Sequence, residues 1–411
     1  MLGKDDEIII LVTADKQTRK VSLIVSDLSG SGAGRWGGGV RPFLLAQALR
    51  QLNYQVELLG VAFGKDAPPV IDPNLSIVSV PCQHHSGFLS AASQVIRKID
   101  GDIIYAVKLK PSSFGMALVK KLFNRKLPLL LDIDDWELSW HGGEDWQYHF
   151  TPKTLVRDLL TPKGALRHPD HPLYLKRIEG LTSYADAITT HNQFLQQRFG
   201  GVCIPNGKDT HLFDPTQYNP EASRAKYGLT DYKVLMFPGA PRPYKGVEDV
   251  LLAMEQLNRP ELKLVIVGGS PYDDYDRILQ EKWGKWLIQL PRIPINLMPE
   301  VVAAAHIIVV PQRDSPAARA QFPLKLTDGM AMAKPILATR VGDIPQILGN
   351  TGYLVEANSP VQLADGIKSI FDNWDEGINK GINARKRCLQ HYSIDAMAGI
   401  LQQVISNVRK N

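Results

Sequence analysis

The chain has 411 residues, 44% of them hydrophobic and 22% charged, which is ordinary for a globular protein with a sizeable core and unlike a disordered or fibrous chain. At about 150 residues per domain this length suggests two or three domains, and two suffice. Forty-seven basic against 42 acidic residues leave a net charge of +5, too slight to argue for nucleic-acid binding.

The N-terminus starts acidic, lacks a signal-peptide pattern, and no apolar run approaches the roughly 18 residues of a spanning helix. Cys82, Cys203 and Cys388 lie far apart with no metal-ligand spacing, as expected of free thiols in a reducing compartment. Both features point to a cytoplasmic protein.

Short apolar runs alternate with amphipathic segments along the chain, the pattern of parallel strands covered by helices on both faces. Strands are predicted at Ser22 to Val25, Val56 to Val61, Ile103 to Ala106, Leu129 to Ile133 and Ala187 to Thr189, with helices at Pro42 to Leu52 and Phe114 to Phe123. Between the first strand and its helix lies LSGSGAGRWGGGVRPF, where ligands bind in open α/β sheets. Its glycines do not meet the spacing of a dinucleotide fingerprint, nor does an acid stand about twenty residues on. A basic, partly apolar stretch follows: Lys108, Lys110, Lys120, Lys121, Arg125 and Lys126 surround Phe114, Met116, Leu118 and Leu122. It is either a solvated face or a contact with an anionic membrane surface.

Asp132, Asp134 and Asp135 end the apolar strand Leu129 to Ile133 and so face a cleft at its carboxyl end. Buried together, they would raise the pKa of at least one carboxylate toward neutrality and offer a proton acceptor to an acceptor hydroxyl; an exposed helix cap is the alternative. The following stretch carries Trp136, Trp140, His141, Trp146, His149, His168 and His171 without metal spacing. Indole faces suit stacking on a sugar, and His141 or His149 suits orienting a hydroxyl.

After Pro205-Asn206-Gly207, a turn signal, the pattern restarts with strands at Val234 to Phe237, Leu262 to Val267, Ile307 to Val310 and Ile336 to Ala338. The resulting division is 1–206, 207–385 and a C-terminal helical tail 386–411 beginning near Ser393. In FPGAPRPYKGVE, Gly239 leaves room for close backbone approach, while Arg242 and Lys245 bring two cations toward the next helix, patterned by Val247, Val250, Leu251 and Met254. In QFPLKLTDGMAMAKPILATRVGDIP, Pro323 suits the first turn of a helix, and Leu326, Met330 and Ala333 form one stripe. Lys325 and Asp328 share one face near its N-terminus, a cation for a diphosphate and a carboxylate for sugar hydroxyls. The plain alternative is a surface Lys–Asp pair.

With the glycine loop, IPNGKDTHLFDP at Ile204 to Pro215, the PGAPRPYKG loop and PLKLTDGMAMAKPILATRVGDIP in this order, the chain resembles the GT-B glycosyltransferases of retaining family 4 over nearly its whole length. The resemblance implies an α/β fold of two Rossmann-like domains facing a cleft, and a nucleotide-sugar donor held by the second. The acceptor, a glycan, glycolipid or small molecule bearing a hydroxyl, would be held by the first, with no metal or other cofactor. Arg242, Lys245 and Lys325 would stabilise the departing diphosphate, Asp328 would hold the donor's ribose, and Gly38 and Gly39 would let backbone N–H groups approach the donor diphosphate or the acceptor across the cleft. The base would lie near Arg292 and Ile293; Asp132, Asp134, Asp135 and His141 would face the acceptor. Many members carry two glutamates separated by seven residues; here those positions are Ala320 and Asp328, and the usual Arg after the loop glycine is Ala240. The rivals are a GT-B nucleotide-sugar epimerase and an inactive partner that binds a nucleotide sugar without turning it over.

Overall fold

The computed structural model describes residues 18–30, 40–64, 74–149, 151–161, 164–270 and 273–408. The first sheet has seven parallel strands: β1 (Lys20–Val25), β2 (Gln55–Phe63), β3 (Ser76–Cys82), β4 (Ile103–Val107), β5 (Leu129–Ile133), β6 (Ala187–Thr190) and β7 (Val202–Cys203). They lie in the order β3-β2-β1-β4-β5-β6-β7. The second has six, β8 (Lys233–Pro238), β9 (Leu262–Val267), β10 (Leu287–Leu290), β11 (Ile307–Val310), β12 (Ile336–Thr339) and β13 (Tyr353–Val355), in the order β10-β9-β8-β11-β12-β13. Central strands such as β4 and β11 are buried along their whole length, because helices cover both faces of a parallel sheet. In each sheet the strand order reverses between two central neighbours, β1 and β4 or β8 and β11, and this is where a doubly wound sheet opens a binding crevice.

The chain passes between the two units twice, at residues 204–210 and at 392–394. The crossings are bonded side by side: the Lys208 amide donates to the Tyr392 carbonyl at 2.7 Å and the Ile394 amide to the Lys208 carbonyl at 3.0 Å. The helix Trp374–His391 packs on the second unit against Leu324–Ala331, so the boundary drawn at 385/386 falls inside a helix. Only the last helix, Ile394–Val408, returns to the first unit, where Met397, Leu401, Val404 and Ile405 join the core with Leu45 and Leu49 of the helix Arg41–Gln51.

Two local expectations change. Residues Pro111–Gly115 form a wide π-turn, and the regular helix starts only at Met116. Ala333 does not extend the buried stripe of the helix Leu324–Ala331: it turns into the left-handed region at φ 52° and is partly exposed. Its carbonyl lies against Gly381, where a Cβ would meet it at 2.3 Å, while the Lys334 amide returns to the Gly329 carbonyl at 3.0 Å. Close packing on the next helix ends this one early.

Candidate functional site

A cavity of about 660 Å³ opens between the carboxyl ends of the two sheets, lined on one side by Arg41, Asp134, Asp135, Trp140, His191 and Asn206. The opposite wall comes from four pieces of the second unit: the loop after β8, Gly268 and Gly269 after β9, Arg292 and Ile293 after β10, and Phe322 to Asp328.

The loop after β8 is shaped by two glycines. Gly239 has φ 137° and leaves the Lys325 side chain in contact range, and Gly246 has φ 69° with the Pro311 carbonyl where a Cβ would sit, at 1.8 Å. Between them Pro243–Lys245 make a single 3₁₀ turn. The helix that follows, Val247–Leu257, is not the anion site its position suggests. Its first turn holds Glu248 and Asp249, and Asp249 is clamped by Arg313 at 2.7 and 2.9 Å. The attraction for an anion comes from side chains instead. Arg242 stands 3.7 Å from Asp273, and the ammonium of the half-buried Lys245 donates to the Ala240 carbonyl at 2.9 Å. Burial, with Lys325 and Arg242 nearby, holds Lys245 well below the usual lysine pKa. The half-buried Lys325 lies with its ammonium 4.6 Å from the centre of the Phe237 ring, and desolvation, only partly offset by Asp328, brings it down to about 8. Both lysines are short of negative charge.

Asp328 lines the cavity, but the alternative in which it pairs with Lys325 does not hold: its ion-pair partner is Lys208, in the linker. Nothing in the hydrophobic periodicity singled out Lys208; it stands inside the quoted block IPNGKDTHLFDP. Ala320, the site of the missing family glutamate, is completely buried in the first unit's apolar cluster, its carbonyl 3.1 Å from His191 Nε2. Burial lowers His191 to about 3, so the ring is neutral and Nε2 carries the proton in this bond.

Across the cleft the acids differ from one another. Asp132 does not line the cavity: its side chain is wholly buried, clamped by Arg41 at 2.8 and 2.9 Å and bonded by Thr189 Oγ1 at 2.7 Å. A second nitrogen of Arg41 reaches the Ile204 carbonyl and Asn206 Oδ1 at 2.9 and 3.0 Å, so this pair ties strand β5 to the interdomain linker. Asp134 and Asp135 do line the cavity. Lys108 stands 3.0 Å from both Asp134 and Glu137, and Lys110 stands 3.0 Å from Glu137. Against the opposing effect of burial these lysines hold Glu137 down to about 2, whereas burial and the charge of Glu137 lift Asp135 to about 7. Asp135 accepts from Trp140 Nε1 at 2.9 Å, and the Trp140 ring meets Tyr244 of the opposite wall edge-on at 5.9 Å. His141 ends the turn Glu137–His141 on the exposed side and does not line the cavity, because that turn aims Trp140 inward instead. Gly38 and Gly39 lie outside the described residues.

Residues 232–373 match the family model described as Glycosyl transferases group 1. The alpha-maltose-1-phosphate synthase of Mycolicibacterium smegmatis is 26% identical over 226 residues, covering 50% of this chain and 56% of that protein. The D-inositol 3-phosphate glycosyltransferase of Corynebacterium glutamicum is 30% identical over 196 residues, covering 44% and 46%. The chain thus spans about half the length of these curated relatives. The solved structure of Anabaena HepE in complex with UDP and glucose superposes with a TM-score of 0.72 at 17% identity, covering 94% of this chain and 99% of that one. At that identity the likeness is one of fold.

Proposed function

We propose that the chain, whose residues 232–373 match the group 1 glycosyltransferase model and whose two-domain fold resembles that of HepE, transfers a sugar from a nucleoside diphosphate donor to a hydroxyl acceptor, with retention at the anomeric carbon and without a bound metal. One observation carries the reading: Arg242, Lys245 and Lys325 converge from a loop and a helix start on one cavity, and both lysines are half-buried with depressed pKa values. An unpaired buried ammonium is costly, and a diphosphate with at least two negative charges relieves that cost for several cations at once.

In this reading the anomeric carbon–oxygen bond breaks toward the diphosphate, and the negative charge that develops there is met by cations already in place. The acceptor oxygen attacks the same face of the sugar, and its proton passes to the departing phosphate oxygen. Asp328 accepts from donor ribose hydroxyls, the backbone near Arg292 and Ile293 takes the base, and Gly239 admits the diphosphate. Asp134 and Asp135 face the acceptor, with Trp140 as an apolar wall.

The buried alanine at position 320 favours a second reading, a partner that binds the nucleotide sugar and leaves it intact. Thermal melts across a panel of nucleotide sugars test binding, since a donor at about 100 times its Kd adds about 2.7 kcal/mol of stability. The stabilising donor is then followed for transfer and for hydrolysis. Stabilisation with neither reaction selects the inactive partner, and no stabilisation by any nucleotide sugar ends both readings.

The proposal includes a cytoplasmic enzyme that touches an anionic membrane through the helix Met116–Phe123. Leu122 and Phe123 are largely exposed there beside Lys120, Arg125 and Lys126, while among the described residues no helix is long and apolar enough to cross a membrane. Flotation with anionic against neutral vesicles checks this, and equal behaviour with both excludes it.

A further inference from the structure

Asp328 stands within reach of two lysines that make opposite demands on it. Lys325 precedes it by three residues on the same helix, where side chains at that spacing are neighbours. Lys208 comes from the interdomain linker and is nine-tenths buried. The ion pair forms with Lys208, and the Lys325 ammonium rests instead over the Phe237 ring on the cavity wall. One carboxylate oxygen, Oδ1, is engaged by Lys208, and no described residue donates to Oδ2.

We propose that Lys208 is a positioning residue for the donor: it holds Asp328 away from Lys325, so that one carboxylate oxygen meets the donor's ribose hydroxyls and the Lys325 ammonium stays available to the diphosphate. The proposal rests on the reading of Asp328 as the donor carboxylate.

The linker is built to hold that ammonium in place. The Lys208 backbone is bonded on both sides to the second crossing of the chain, through Tyr392 and Ile394, and its ammonium sits 4.3 Å from the centre of the Phe213 ring. Its neighbours grip the other unit: Asn206 accepts from Arg41 at 3.0 Å, and Asp209 accepts from Gln47 at 3.2 Å. Three residues within a four-residue stretch therefore hold both sides of the cleft, and the one that reaches the donor wall ends on Asp328. Without Lys208, Lys325, one turn away on the same helix, is left as a cation for the buried carboxylate. Closing that pair removes a ligand from the ribose and a cation from the diphosphate together, so one substitution weakens two parts of the donor site.

The test is a double-mutant cycle read by calorimetric Kd for UDP, GDP and ADP, whichever binds the wild-type protein, with a melting curve for each variant. Lys208→Met is expected to raise Kd about tenfold, within the range of coupling between contacting residues, and Asp328→Asn by a similar factor. The double variant should bind no more weakly than Asp328→Asn alone, because Lys208 acts only through the carboxylate, and Lys208→Arg should restore binding to near the wild-type value. A purely structural lysine would lower the melting temperature in both backgrounds and give losses that multiply. Should Lys208→Met fail to fold, Lys208→Gln takes its corner of the cycle. An unchanged Kd in the Lys208 variants beside a raised Kd in Asp328→Asn overturns this inference alone, as do losses that multiply. An unchanged Kd in Asp328→Asn overturns the donor reading on which it rests.

Discussion

The two walls of the cleft are both rich in charge and dispose of it in opposite ways. On the first unit, Asp134 and Glu137 are met by Lys108 and Lys110, and Asp132 is consumed by Arg41. On the second, Lys245 has a backbone carbonyl and Lys325 an aromatic ring as near partners. A charge network that closes on itself can shape and hydrogen-bond a neutral molecule. A set of cations short of counter-charge is completed by an anion, so the asymmetry supports the proposed sides, diphosphate on the second unit and hydroxyl-bearing acceptor on the first.

The largest effect is expected where the second wall loses a cation. Lys245→Ala or Arg242→Ala should lower turnover about 10²–10³-fold, the cost of removing one stabilising donor from a charge-developing site. Fold stability should hardly fall, and in Lys245→Ala it should rise, because an ammonium buried against its own preference is removed. Steady-state kinetics beside a melting curve measures both. Unchanged turnover in the two variants would take the loop out of the site and the asymmetry with it.

Next in size is a pH effect on donor affinity. Lys325 titrates at about 8 in the free protein, and a bound diphosphate raises its pKa by favouring the charged form. Below pH 8 the ammonium is already charged and binding needs no proton. Above it, binding must take up a proton, so donor affinity should fall up to about tenfold per pH unit until the pKa of the complex is reached. Calorimetry in buffers of different ionisation enthalpy would register the uptake. A flat affinity from pH 7 to 9.5, with no proton uptake, would mean that Lys325 does not face the diphosphate.

The contrast was only partly legible in the sequence. Nine strands were visible as apolar runs, and the four that were not, β3, β7, β10 and β13, are the outermost strands of the two sheets. An edge strand is covered on fewer sides, and these are short or half-exposed, as in Tyr353–Val355 and Val202–Cys203, so no continuous apolar run marks them. The cations of the second wall could be read because a loop and a helix start carry them in consecutive sequence. The fates of Asp132 and Asp328 could not, because their partners Arg41 and Lys208 are 91 and 120 residues away and are brought near only by sheet order and by the crossing of the linker. Of the three acids at the strand end, Asp134 and Asp135 line the cavity and Asp132 does not; which of them a buried arginine would claim depends on side-chain contacts that periodicity does not encode.

Asp135 gives a smaller effect on the first wall. Burial and then Glu137 lift its pKa to about 7, so it is neutral below that pH and a carboxylate above it. If it accepts from the acceptor hydroxyl, kcat/KM for the acceptor should climb as pH rises through about 7, and Asp135→Asn should flatten that limb with a several-fold loss at its plateau. The same limb persisting in Asp135→Asn would assign it to another group and leave Asp135 as a brace for Trp140.

The smallest expected effect is no effect at all, and it bears on both walls. A divalent ion at the diphosphate would need oxygen ligands, and the acids that line the cavity are Asp134, Asp135 and Asp328, the last already paired with Lys208. Asp134 already has the Lys108 ammonium at 3.0 Å, and Asp135 gives one oxygen to Trp140 and stays protonated to about pH 7, when a metal needs it ionised. On the other side, Arg242, Lys245 and Lys325 supply the positive charge for which an ion would otherwise be wanted. Transfer should therefore proceed at the same rate with EDTA, magnesium or manganese in the assay. Loss of activity on chelation, restored by manganese and not by further protein, would show that an ion completes the first wall, and the division of labour between the two sides would have to be drawn again around it.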